Sequence, residues 1–299
     1  SCAFYNSGFD EAAVLIIDGA GSMQTHEVDN GKMLGFEAES IFSVKYPNKF
    51  LPIYKSYGKN DVYRAYLEDV YDFDNSITIT KTYEAVTSYL GWDGIEGGKT
   101  MGLAPYGKNN PNIPPLFKNG RGNRDFFIPV YPQGALIDEK YIPALRRDRK
   151  PELFHRNQNE LLEVEADLAW RVQNDTQEEV AKLIEKSINL TGLNKICIAG
   201  GYGLNCVTNY FIKKKFPNIE IYHEAISHDG GTAIGAAKAI YHERKNDVEK
   251  RKQTSIYLGP KYPIEQIEKS IKSYNNMFNV YDIKPENVAK LISENNIVT

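Results

Sequence analysis

The stretch from Lys195 to Ala237 limits what this chain can fold into more than any other. It reads KICIAGGYGLN, then FPNIEIYH, then SHDGGTAIGAA. Ile196 to Ala199 is a short apolar run of the kind that forms a buried strand. Gly200 and Gly201 end it, and Leu204, Val207 and Phe211 follow at helical spacing. Ile219 to Tyr222 gives a second strand, Ser227 to Gly231 a second glycine turn, and a further helix starts near Thr232. Strand, turn and helix twice in succession place the chain in the α/β class. Glycine in such turns lets backbone N–H groups approach a phosphate, and the helix N-terminus behind it favours negative charge. Gly200, Gly201, Gly230 and Gly231 are therefore candidate phosphate-turn positions, with tight helix–sheet packing as the alternative. Asp229 adds a carboxylate where a hard cation bridging phosphate oxygens can bind.

A related arrangement opens the chain. Ser1 to Phe9 reads as the end of a helix stopped at Asn6-Ser7-Gly8, and Val14 to Ile17 as a buried strand. Asp18-Gly19-Ala20-Gly21-Ser22 follows, then a loosely alternating Met23 to Val28, the pattern of a hairpin. An Asp at the end of a buried strand, with two spaced glycines after it, is also the phosphate turn of actin-like and sugar-kinase-like ATPases. An Asx turn is the plainer reading. Gly31 to Ser40 supplies another strand.

Asp61 to Asp72 and Thr80 to Trp92 place tyrosines and branched residues on single helical faces, as core-facing helices do. Glu96 to Gly107 contains Gly-Gly-Lys-Thr, but position 93 is Asp, so the G-x-x-x-x-G-K-[ST] spacing of a phosphate-binding P-loop fails. This stretch reads as a glycine-rich loop from which Lys99 can reach an anion. Pro111 to Pro151 is an irregular insertion with the basic run 146–150, and His155 at its end has no assigned role. Leu161, Val164, Leu168, Val172, Thr176, Val180, Ile184 and Ile188 mark the longest helix, with Gly192 as its C-cap. The adjoining Gln173-Asn174-Asp175 reads as a solvated face, with a ribose contact as the alternative. Residues 246–254 form a charged linker. Ser255 to Leu258 is a short strand, and residues 255–299, with amphipathic helices around Ile267 and Leu291, begin a second domain.

Net charge is −3 over 299 residues, which gives no global basic field for nucleic acid. Cys2, Cys197 and Cys206 have no metal-ligand spacing and no even count, which fits a reducing, cytoplasmic compartment. Cys197 belongs to the core and Cys206 is partly buried. No run approaches the roughly 18 apolar residues of a membrane span.

Five blocks together, AFYNSGFDEAAVLIIDGAG (Ala3 to Gly21), YEAVTSYLG (Tyr83 to Gly91), KTMGLAPYG (Lys99 to Gly107), AGGYGLN (Ala199 to Asn205) and DGGTAIGAA (Asp229 to Ala237), resemble the O-carbamoyltransferase family. This is the nodulation-protein and tobramycin-carbamoyltransferase group, with a more distant likeness to tRNA threonylcarbamoyl transferases. The resemblance implies an actin-like, ribonuclease-H-like ATPase domain over residues 1–245, interrupted by an insertion, then the start of a truncated carbamoyl-phosphate-processing α/β domain. It implies ATP and carbamoyl phosphate as substrates, a carbamoyl-adenylate intermediate, a divalent metal (Fe or Mg), and a sugar or other hydroxyl-bearing small molecule as acceptor. A homodimer is left open, and no membrane or nucleic-acid partner is expected.

By the same resemblance Asp18 and Asp229 are metal ligands, Gly200, Gly201 and Asn205 form an adenosine-binding turn, and Gly19, Gly21, Gly230 and Gly231 lie beside phosphate. Lys99 falls on a motif lysine, and His228 is a candidate general base. The family's His-x-x-x-His pair is expected before Ser1 and its arginine-rich motif after Thr299, so residues 1–299 alone are expected to be catalytically inactive. An actin-like small-molecule kinase and a non-catalytic nucleotide-binding module are the alternatives. All the readings of a catalytic site need Asp18 and Asp229 to face one shared space.

Overall fold

The computed structural model describes residues 1–28, 31–58, 65–67, 71–74, 77–125, 127–129, 135–137, 163–245, 248–253, 255–257, 259–274, 276–277, 279–281 and 283–296. His155, the basic run 146–150 and Leu161 lie outside them. Residues 1–254 form one compact unit and residues 255–299 another.

The first unit is built on a mixed sheet in which β1 (Glu11–Ile17) is an interior strand. On one side β1 pairs in parallel with β11 (Lys195–Ala199), which pairs in parallel with β12 (Glu220–His223). On the other side it pairs antiparallel with β3 (Gly31–Lys45), which carries β2 (Met23–Val28) on one edge and β4 (Lys49–Gly58) beyond it. Hence β1 is apolar almost throughout: an interior strand covered on both faces has no solvent side to fill with polar residues. Ala13, Leu15 and Ile17 join a cluster with Val86, Val172 and Ile184, and the alternate residues Ala12 and Val14 join Ala3, Phe4 and Tyr5.

The first of those clusters belongs to α2 (Ile79–Tyr89) and α4 (Glu163–Thr191), and the second to α1 (Cys2–Ser7). The sheet is thus sandwiched between helical layers. Gly192 ends α4 at φ 70°, donating its N–H to the Ile188 carbonyl at 2.7 Å, as the C-cap reading expects. Gly8 ends α1 at φ 75°. The start of α2 is held by buried Glu39, which accepts the Ile79 N–H at 3.0 Å and faces the buried Arg121 guanidinium at 3.4 Å.

Several expectations are corrected. The stretch Asp61 to Asp72 is not a helix where it is described: it contains β5 (Ala65–Leu67) and the start of β6 (Tyr71–Asp74), which extends the sheet from β4. Pairing along the edge of β4 satisfies backbone groups that a helix would satisfy internally, and tyrosine suits strands. The glycine-rich stretch is instead a short helix, α3 (Gly97–Leu103), followed by a single 3-10 turn. The insertion holds small paired strands, β7 (Phe117–Lys118) with β8 (Arg121–Gly122), and β9 (Phe127–Pro129) with β10 (Ala135–Ile137). Cys206 is exposed. Residues 248–253 return to the first unit, where Lys250 meets Asp10 at 2.5 Å and the Gln253 N–H donates to the Asn6 carbonyl.

In the second unit α7 (Ile264–Ser273) and α8 (Pro285–Ser293) are the expected amphipathic helices, and residues 255–257 are not a strand. Among the described residues no helix is long and apolar enough to cross a membrane.

Candidate functional site

Because β1, β11 and β12 run parallel, the loops that follow them emerge at one edge of the sheet, where open α/β sheets bind ligands. After β1, the Asp18 N–H donates to the Ala38 carbonyl at 3.0 Å, and Asp18 Oδ1 accepts the Gly19 N–H at 2.8 Å. After β11, Gly200 turns the chain at φ 93°, with its N–H on the Ser227 carbonyl at 2.9 Å. A 3-10 turn (Gly201–Leu204) then leads to α5 (Cys206–Lys215). After β12, residues 224–229 lead into α6 (Gly230–Lys245).

These loops enclose two neighbouring cavities. The larger, about 550 Å³, is lined by Asp18, Gly19, Lys81, Glu84, Gly201, Asn205, His228 and Asp229, with Thr80 and Gly97 beside them. The smaller, about 250 Å³, is lined by Cys2, Asp18, Gly200, Glu224, Ser227, His228, Asp229 and Gly231. Asp18, His228 and Asp229 border both. The two acids, distant in sequence, face shared space because β1 and β11 are neighbours and β12 is next in line.

Other candidates fall elsewhere. The Gly21 N–H is already spent on the Glu37 carbonyl at 2.6 Å, which begins the β2–β3 pairing, and Gly21 lines neither cavity. The first turn of α6 is capped from within its own loop: the Gly230 N–H donates to His228 Nδ1 at 3.1 Å and the Gly231 N–H to the His228 carbonyl at 2.9 Å. Those groups are not free for a phosphate. A Cβ on Gly231 would stand 2.1 Å from the Ile226 carbonyl oxygen, so this glycine serves close backbone approach.

The Gly230 contact also recasts His228. That contact occupies Nδ1 of the exposed ring and leaves Nε2 as the nitrogen open to a ligand. Lys99 projects from α3 to an exposed ion pair with Glu96 at 2.5 Å and lines neither cavity.

Asn205 lines the larger cavity, but its amide is engaged. Its Oδ1 caps α5 by accepting the Thr208 N–H at 3.0 Å, and its Nδ2 donates to Gln173 Oε1 at 3.0 Å. Gln173 Oε1 also accepts the Tyr83 hydroxyl at 2.9 Å, while Tyr202 donates its hydroxyl to Thr176 Oγ1 at 2.7 Å. Burial pushes the Tyr202 phenol up to about 12. The polar patch on α4 is thus neither a solvated face nor a free ribose contact at Gln173, which is buried. Asp175 is likewise occupied, by the Leu116 N–H at 2.8 Å.

The residues that sequence reading missed are Lys81 and Glu84 on α2. They form an ion pair at 2.5 Å, with side chains 9% and 23% exposed. A Cβ on Gly19 would lie 2.5 Å from Glu84 Oε1 and 3.2 Å from Lys81 Nζ, so the pair rests on the Asp18–Gly19 turn. Burial pushes the Glu84 carboxyl up against the opposing pull of Lys81, and the Asp18 charge adds to the rise. The available signal was a Lys and a Glu three apart beside the apolar stripe of α2. Among the described residues no group of three or more His, Cys, Asp and Glu side chains is placed to hold a metal ion. Two carboxylates, Asp18 and Asp229, border the shared cavities, fewer than the six or more oxygens a hard cation takes.

Residues 1–238 match the family model described as the carbamoyltransferase N-terminus. The chain is 30% identical over 285 residues to the uncharacterized protein sll1178 of Synechocystis sp., covering 90% of this chain and 40% of that protein. It is 23% identical over 266 residues to the nodulation protein NolNO of Sinorhizobium fredii, covering 86% and 32%. To the nodulation protein NolO of Bradyrhizobium diazoefficiens it is 24% identical over 251 residues, covering 81% and 42%. The chain spans less than half the length of these relatives. A crystal structure of full-length HypF in its phosphate- and nucleotide-bound form aligns at TM-score 0.44 and 12% identity, covering 81% of this chain and 42% of that one, too low a similarity to carry an assignment.

Proposed function

Because this chain belongs to the carbamoyltransferase family, we propose that it forms the nucleotide- and cation-holding part of an enzyme that transfers a carbamoyl group to a hydroxyl. The observation that carries this reading is that Asp18 and Asp229 border the same two cavities at the carboxyl ends of parallel strands. In this reading water cleaves carbamoyl phosphate to carbamate and phosphate, and a carbamate oxygen then attacks the α-phosphorus of ATP, giving carbamoyl-adenylate and releasing pyrophosphate. The hydroxyl of a sugar or other small molecule then attacks the carbamoyl carbon, and AMP leaves. The mixed sheet, antiparallel from β1 to β4 and parallel from β1 to β12, supports an actin-like, ribonuclease-H-like domain.

Gly201, Tyr202, Leu204 and Asn205 supply the wall against which the adenosine lies, since they line the larger cavity. Asn205 acts there by fixing the start of α5 through its cap. Gly19 lets the Lys81–Glu84 pair approach the Asp18 turn, beside which the phosphate end lies in this reading. A divalent cation held by Asp18 and Asp229 would supply positive charge to the phosphate oxygens. His228 presents its open Nε2 to the acceptor hydroxyl.

The test is to supply an enzyme that carries residues 1–299 within its full length with ATP, carbamoyl phosphate and a sugar and to identify the nucleotide released. AMP formation that depends on carbamoyl phosphate supports the reading. ADP released in its place would move the chain to a small-molecule kinase. No thermal stabilisation by millimolar ATP with Mg²⁺ or Fe²⁺ would mark a module that does not bind nucleotide.

A further inference from the structure

The larger cavity poses an electrostatic problem for any phosphate-bearing ligand. Its wall carries the carboxylates of Asp18, Glu84 and Asp229 but, among the described residues, a single ammonium, that of Lys81. Lys81 is 7% exposed and is aimed at the turn after β1, where its Nζ lies 3.2 Å from the position of a Gly19 Cβ. Next to it on α2, Thr80 lines the same cavity, and its Oγ1 is enclosed with no hydrogen-bond partner among the described residues. An enclosed hydroxyl without a partner is costly unless a ligand supplies one. A cation and an idle donor therefore stand side by side in the first turn of α2.

We propose that Lys81 and the Thr80 hydroxyl make this protein's direct contact with an anionic group in the larger cavity, while Glu84 holds Lys81 in place until that group arrives. The inference rests on the nucleotide reading above and gives the phosphate a partner in the chain itself. Lys81 is a point charge on a flexible stem and can turn from Glu84 to a phosphate oxygen without moving its helix. Glu84 competes with the ligand for Lys81 and also repels it, so the two members of the pair act on affinity in opposite directions.

Titration calorimetry of ATP with Mg²⁺, and of adenosine as the uncharged probe, tests this. Lys81→Met is expected to weaken ATP binding about tenfold or more, the scale of a hydrogen bond to a charged group, and Glu84→Gln to strengthen it. Thr80→Val is expected to weaken ATP binding while the unfolding temperature holds or rises, since it removes an enclosed, unpaired hydroxyl. Adenosine binding is expected to be the same in all of them. The double variant Lys81→Met with Glu84→Gln leaves no unpaired charge, guards against misfolding of the single variant, and is expected to bind ATP weakly. If the parent binds ATP and Lys81→Met and Thr80→Val bind it equally well, the contact is overturned and the nucleotide reading stands. If the parent binds no ATP, both are overturned.

Discussion

Gly200 lies so close to Ile17 that a Cβ on it would stand 2.2 Å from the Ile17 carbonyl oxygen, at a φ of 93° that side chains avoid. The turn after β11 is thereby locked against the last residue of β1, and the Asp18 loop is held from below. Gly200→Ala is expected to cost about 3 kcal/mol or more, from strain and overpacking together. Denaturant unfolding would check this, and ATP binding should fall with it because the Asp18 turn shifts.

Two glycines earlier in the chain separate packing from propensity. A Cβ on Gly107 would meet the Ala166 carbonyl oxygen at 2.0 Å, whereas one on Gly102, inside α3, would meet nothing within 4 Å. Gly107→Ala is expected to push α4 outward and lower stability by about 1–3 kcal/mol. Gly102→Ala is expected to raise it by up to about 1 kcal/mol, since glycine is a poor helix former. Equal effects in thermal unfolding would refute the distinction.

The amide of Gln173 accepts from two donors, the Tyr83 hydroxyl and Asn205 Nδ2. Gln173→Met strands both in a buried setting and is expected to cost about 2–4 kcal/mol. A double-mutant cycle with Tyr83→Phe should recover part of the loss, because the phenol then no longer needs an acceptor.

Asp18→Asn and Asp229→Asn should each reduce metal-dependent ATP binding, by about tenfold or more if each carboxylate contributes one charged contact, with little effect on adenosine. Calorimetry at several Mg²⁺ concentrations checks this. Asp10→Asn, an exposed carboxylate paired with Lys250, is the control and should leave binding unchanged.

His223 gives a pH signature. Burial, with Lys213 adding to it, holds its ring below the ordinary value of 6.5, and its Nδ1 is enclosed with no partner among the described residues. The folded state keeps the ring neutral where the unfolded chain takes up a proton. Its contribution is therefore constant above about pH 6.5 and declines as the pH falls from there toward the folded value. His223→Phe should flatten that part of the profile in urea unfolding between about pH 7 and 5, and an unchanged slope would assign the acid sensitivity to other groups.

Legibility followed the range of the interactions. The strand at Val14 to Ile17, the helix ending at Gly192 and the glycine turn at Gly200 were readable because each depends on residues a few positions apart. The segment Asp61 to Asp72 was misread because its tyrosine spacing suits a helix, and only the open edge of β4 turns part of it into strand. Lys99 drew attention by its glycine neighbours, yet its partner is Glu96, three residues away. Lys81 went unnoticed because its importance comes from Gly19, to which no local pattern links it.

The sequence by itself determined the α/β class, the apolar centre of the sheet, the glycine turns and the family, since periodicity, glycine placement and ordered blocks are properties of the chain alone. Only the tertiary structure decided that Asp18 and Asp229 share their cavities, that the Gly21 and Gly230 N–H groups are already bonded, and that Lys81 and Glu84 sit over the Asp18 turn. The physical reason is that a hydrogen-bonding group or charge is defined by what occupies the space beside it. In a parallel arrangement of strands that space is filled by residues far away along the chain.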